Sequence, residues 1–161
     1  AVVERFLAHG VGQLDGGHIL YGLIGKKGHA IVSPLLFCGM LFWGGLGMLS
    51  LYDSLDSLLW NIPLYVFFLY YLLEKALPDK LWALIVALSI FLAQFLIKSY
   101  WPEVDGFRGW LFFSFLLGRV LGVHHPPVED DRPLNSTRKI VGWISLIVFV
   151  LCFAPVPFSV E

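Results

Sequence analysis

Gly12-Gln13-Leu14-Asp15-Gly16-Gly17-His18-Ile19-Leu20-Tyr21 sets a carboxylate and an imidazole three residues apart at the head of an apolar run. Gly12, Gly16 and Gly17 bracket Asp15, allowing a tight backbone path and the close approach of another element. From His18 the pattern predicts a helix to Ile24, stopped by Gly25-Lys26-Lys27-Gly28, a glycine-and-lysine helix end. Nearly everything downstream is hydrophobic. An ionisable side chain in such surroundings is costly, so Asp15 is the leading candidate functional residue.

The chain of 161 residues is 58% hydrophobic and 14% charged, with a mean hydropathy of +0.77. Soluble domains are roughly a quarter charged. So little polar surface cannot coat a globule, which predicts an integral membrane protein surrounded by lipid, with residues 1–161 forming a single membrane domain. The net charge of −1 and the lack of a basic stripe give no sign of a nucleic-acid partner. Cys38 and Cys152 fall inside apolar runs, where a thiol behaves as a small hydrophobe, and no CxxC metal knuckle is present.

Residues 1–11 mix apolar and charged positions and read as a short entry. Ser33–Tyr52 is about 20 residues long, enough to span a bilayer. It contains Gly39, Gly44, Gly45 and Gly47, which allow close helix packing. An Asp53–Ser57 hinge follows. Further spans are predicted at 58–73, 81–97, 107–122 and 140–156, separated by the charged break 74–80, the link 98–108 and the long polar segment 124–139. Ser136 or Thr137 is the expected cap of the last span. The expected fold is all-α: a polytopic membrane helix bundle, with a short half-membrane helix followed by about five transmembrane helices.

With alternating spans, one face carries Lys26, Lys27, Lys75, Lys80, Arg132, Arg138 and Lys139, with Arg119 leaning to the same side, whereas the other carries Lys98 and Arg108. The lysine-rich face is therefore expected to be cytoplasmic, with the Asp53/Asp56 hinge and the C-terminus outside. An upright helix from Asp15 to Lys26 would put Asp15 roughly 16 Å deep. That is about half of a ~30 Å hydrocarbon core, where irregular backbone is tolerated only inside protein or beside a wet cavity.

A carboxylate at that depth can ligate zinc, which takes three protein ligands and a water in catalytic sites and lowers the pKa of that water towards neutrality. The H-E-x-x-H pair that usually completes such a site is absent: none of His9, His18, His29, His124 and His125 has the spacing. His9, Asp15 and His18 form a conceivable set without a standard spacing. The plainer readings stand beside these. Asp15 is equally a helix cap, His18 a packed histidine, His124-His125 a stiff loop before Pro126-Pro127, and Glu129-Asp130-Asp131 a solvated run. Tyr52, Trp60, Tyr100, Trp101, Trp110 and Trp143 read as interfacial anchors.

G-Q-L-D-G-G-H-I-L-Y resembles the LDG signature of the site-2 protease family, intramembrane zinc metalloproteases. G-R-V-L-G-V-H-H-P-P-V-E-D-D-R-P-L, from Gly118 to Leu134, is similar to the histidine-proline loop before the last span of bacterial members, and F-V-L-C-F-A-P-V-P-F, from Phe149, to their ending. The resemblance implies a polytopic zinc protease that cuts transmembrane segments of protein substrates, with Asp15 as the third zinc ligand. Two departures accompany it: H-E-x-x-H is missing, and Arg5 to Gly12 replaces the family's asparagine-proline lead-in. With a first residue of Ala1, the expectation is the C-terminal part of a longer protease. Such a chain binds Zn2+ only with its missing N-terminal helices and is inactive alone. The alternatives are a non-catalytic membrane scaffold of the same fold, using the Gly39–Gly47 face to hold a partner helix, and a small transporter built on Asp15, for which no internal repeat speaks.

Overall fold

The computed structural model describes residues 15–49, 55–121 and 134–151, without the side chains at 15, 16, 55–57 and 121. Every regular element among these residues is helical. α1 covers Asp15–Leu46, α2 Leu55–Ala76, α3 Lys80–Tyr100 and α4 Gly109–Phe115; α4 continues directly into a π-helical segment, Leu116–Leu121, and α5 covers Ser136–Leu151. Gly17–Leu46 and Lys80–Tyr100 are long and apolar enough to cross a membrane.

α1 is two helices joined at a break. Gly25 has φ 70° and ψ 178°, a region that essentially only glycine occupies. The predicted stop at Gly25 therefore coincides with a real interruption, but the second helix starts at once, with Lys26, rather than at Ser33. It also ends earlier than expected, at Leu46 instead of Tyr52. The reason is a backbone crossing. A Cβ on Gly47 would overlap the Gly106 carbonyl oxygen, and one on Gly106 would overlap the Trp43 carbonyl. The Arg108 Nε–H then donates to the Gly47 carbonyl.

α2 begins at Leu55, inside the predicted Asp53–Ser57 hinge, of which Asp53 and Ser54 lie outside the described residues. Its buried stripe is Tyr65, Leu69, Leu72 and Ala76. The matching stripe of α3 is Ala83, Ala87, Ile90, Gln94 and Lys98. Both follow the three-and-four spacing of one helix face. Ala83 and Ala87, fully buried, let the two helices approach closely. The Asp79 side chain caps α3 by accepting the Leu81 N–H at 3.0 Å, as an aspartate before a helix is suited to do.

Contacts across the bundle set the directions. A Cβ on Gly118 would lie 2.8 Å from Phe37 Cζ, and one on Gly44 would lie 3.1 Å from Leu111 Cγ. The latter part of α1 and the α4–π segment are therefore antiparallel. Tyr65 of α2 meets Gln94 of α3, while Glu74 at the end of α2 meets Lys80 at the start of α3. α1 and α3 thus run one way, α2 and α4 the other. The core between them is Phe37, Leu41, Leu69, Leu72, Leu73 and Leu111.

α5 stands apart, with none of its residues buried. It leans on the first part of α1, where Leu134 lies against Gly22 and Leu23 against Gly142. Its cap differs from the expected Ser136 or Thr137. The Asn135 side chain accepts the Arg138 N–H at 3.0 Å, so the cap sits one residue ahead of Ser136. A residue preceding the first helical position is the one whose oxygen can reach the free N–H groups of the first turn.

Candidate functional site

Asp15 is the first residue of α1, and its side chain lies outside the described atoms. His18 follows on the same helix at i+3, a spacing that places both on one face, and it is exposed. His9, His124 and His125 fall outside the described residues, as do Glu129 to Asp131 and Cys152. Among the described residues no group of three or more histidines, cysteines and acids can hold a metal ion.

The segment carrying Asp15, Asp15–Ile24, is about 15 Å long as a helix. It is set off from the rest of α1 by the Gly25 break. A Cβ on Gly28 would sit 2.9 Å from Ile24 Cβ, so a side chain there would press on Ile24 across the bend. The rings of Tyr21 and His29 also meet across it, edge to face, with centroids 5.5 Å apart. His29 is only 4% exposed. In the sequence it is merely a histidine without H-E-x-x-H spacing, and only the structure shows its burial.

Two polar clusters escaped the sequence reading. In the middle of the bundle, the Tyr65 hydroxyl donates to Gln94 Oε1 at 3.0 Å, and Gln94 Nε2 donates to the Leu41 and Phe42 carbonyls at 3.1 and 2.8 Å. Gln94 has no solvent exposure. Gly45 makes room for this node, since a Cβ there would overlap both Tyr65 Oη and Gln94 Nε2. The available signal was a lone amide in an otherwise apolar span, a residue type that must find hydrogen-bond partners when buried.

At one end of the bundle, Glu74 receives Lys80 at 3.1 Å and Arg119 at 3.4 Å, one on each carboxylate oxygen. The Arg119 guanidinium stacks 3.4 Å from the centre of the Tyr71 ring and donates to the Tyr71 carbonyl. Arg119 belongs to the π-helical segment, so these contacts tie that unusual turn to α2. At the other end Lys98 pairs with Asp105 at 3.2 Å, and Arg108 holds Gly47.

The glycines read as a packing face divide. Gly44, Gly45 and Gly47 accept this chain's own Leu111, Tyr65 and Gly106, whereas a Cβ on Gly39 would meet nothing within 4 Å. No protein-family model matches the chain, and neither does any curated protein or any solved structure.

Proposed function

We propose that this chain is a multi-pass membrane protein and the C-terminal part of an intramembrane zinc metalloprotease, in which Asp15 is one zinc ligand. The observation that carries the reading is the placement of Asp15-Gly16-Gly17-His18: Asp15 heads a short helix that breaks at Gly25 ahead of a helix of spanning length. From Lys26 to Leu46 that second helix measures about 31 Å, close to the ~30 Å hydrocarbon core. Asp15 is thereby carried on a separate arm rather than in the body of a straight span.

The membrane setting is supported by the surface. Leu81, Trp82, Leu88, Leu92, Ile140, Ile144 and Val148 are all exposed, with no covering layer of polar side chains among the described residues. Trp60, Tyr100 and Trp101 are exposed near one end of the bundle, as interfacial aromatic residues are. That end holds Lys98 and Arg108, both engaged within the chain. Lys26, Lys27, Lys75 and Lys80 belong to the opposite end. In this reading the charged joint 74–80 lies at the cytoplasmic surface, five helices cross or enter the membrane, and substrates are transmembrane segments of other proteins.

The fit to zinc is partial: Asp15 supplies one oxygen donor, and the histidine ligands and general base must come from a segment other than these 161 residues. When bound, zinc would supply a water acidified towards neutrality and a Lewis acid for the scissile carbonyl. The carboxylate of Asp15 would hold the ion. The scaffold alternative draws on the glycine face, but Gly44, Gly45 and Gly47 are filled from within the chain.

The test is zinc stoichiometry on purified protein: this chain, the chain extended upstream to include an H-E-x-x-H helix, and Asp15→Asn in the extension. The expected result is near one zinc per extended chain, sharply reduced by Asp15→Asn and absent from the 161-residue chain. An extended protein without zinc would remove the protease reading.

A further inference from the structure

We infer that His29 is a positioning residue: its contact with Tyr21 closes the bend at Gly25 and sets the direction of the segment Asp15–Ile24. The relevance of that direction to chemistry rests on the reading of Asp15 as a metal ligand; the bend itself does not.

Three observations carry the inference. In an uninterrupted α-helix, positions i and i+8 are about 12 Å apart along the axis, and both side chains lean towards the N-terminus. The Tyr21 and His29 rings, with centroids 5.5 Å apart, can meet only because the helix breaks between them. Second, a Cβ at Gly25 would meet nothing within 4 Å, so no neighbour packs on the break point itself, and the contacts that span the bend come from Tyr21 with His29 and Ile24 with Gly28. Third, His29 is buried to 4%, and its ring packs edge to face on Tyr21. An aromatic ring offers Tyr21 a flat, directional partner. Ile24 against Gly28 closes the inner side of the same turn. Leu23 against Gly142 and Gly22 against Leu134 then seat the turned segment on α5.

The experiment uses the full chain in lipid nanodiscs, with Cys38 and Cys152 replaced by alanine and spin labels at positions 20 and 36, on opposite sides of the break. A straight helix would separate the two backbones by about 24 Å; the bent chain gives a shorter, single distance. His29→Ala and Tyr21→Ala are each expected to broaden the distribution towards the straight-helix value, with the double variant no worse than either alone. His29→Phe, which retains a ring, should restore the parental distance. An unchanged distribution in His29→Ala, or equal broadening in His29→Phe and His29→Ala, overturns the inference. In the extended protein, His29→Ala should weaken zinc binding ~10-fold, the scale of losing a supporting residue around a metal ligand, and His29→Phe should not. Loss of zinc in Asp15→Asn alone, with His29→Ala binding normally, would overturn the positioning role and leave the ligand role of Asp15 intact. Absence of zinc from every variant removes the ligand reading, while the spin-label distances still decide whether His29 sets the bend.

Discussion

Removing the polar node at Gln94 from either side should cost stability, and removing both sides together should cost much less than the sum. Tyr65→Phe deletes the hydroxyl that donates to Gln94 Oε1 at 3.0 Å and leaves that oxygen buried without its partner. Gln94→Leu leaves the Tyr65 hydroxyl unmatched at a residue 8% exposed, and removes two N–H donors from the Leu41 and Phe42 carbonyls. Orphaning a buried polar group costs about 1–3 kcal/mol, whereas replacing both partners by apolar groups of similar shape can be nearly neutral. Hydrogen bonds between membrane helices average about 0.6 kcal/mol and reach about 1.7 in double-mutant cycles. A coupling of about 1 kcal/mol is therefore expected, a roughly fivefold change in the unfolding equilibrium. The assay is a double-mutant cycle on unfolding in lipid discs or mixed micelles. Gly45→Ala, whose Cβ would displace both groups, should match the more damaging single variant. Additivity of the two single substitutions within ~0.3 kcal/mol would refute the claim that this node joins α1, α2 and α3.

Other substitutions separate backbone, desolvation and charge effects. Gly25→Ala meets no neighbour, so its cost is purely conformational, about 1–3 kcal/mol for a side chain in that backbone region; thermal unfolding and the 20–36 spin-label distance should shift together. Ser114 Oγ is buried without a hydrogen-bond partner among the described residues, so Ser114→Ala should stabilise by about 1 kcal/mol, measured by denaturant unfolding. Lys80, and then Arg119, hold the Glu74 carboxyl below the usual glutamate range. A lowered folded-state value stabilises the fold at neutral pH, and this contribution fades as the pH falls through the carboxylate range and below it. Glu74→Gln should accordingly flatten the acid limb of the stability profile, and an unchanged acid limb would place that stability elsewhere.

Much of the helical plan was legible because hydropathy and chain breaks are local properties. The charged stretch 74–80 contains the break between α2 and α3, which the structure narrows to residues 77–79, and Asp79 caps α3. Gly25-Lys26-Lys27-Gly28 announced a helix end, and the left-handed φ of Gly25 is the conformation that glycine uniquely tolerates. Asp15 is conspicuous in the sequence as a carboxylate entering an apolar run, and the structure places it at the first residue of α1, with its side chain outside the described atoms.

Decisions that depend on a second segment were not written in either segment alone. α1 ends at Leu46 because residues 101–108 cross it with backbone against backbone, and nothing in Leu49, Leu51 or Tyr52 announces this. Gly39 and Gly44 read alike in sequence, yet one faces open space and the other receives Leu111, because only the position of α4 distinguishes them. Tyr65 and Gln94 find each other across two helices once the alanine stripe of α3 has fixed their depth. Arg119 reaches Tyr71 and Glu74 from a π-helical turn that composition does not signal. Periodicity determined which residues are helical and apolar; the meeting of helices determined which polar residues are buried, partnered and able to orient a site.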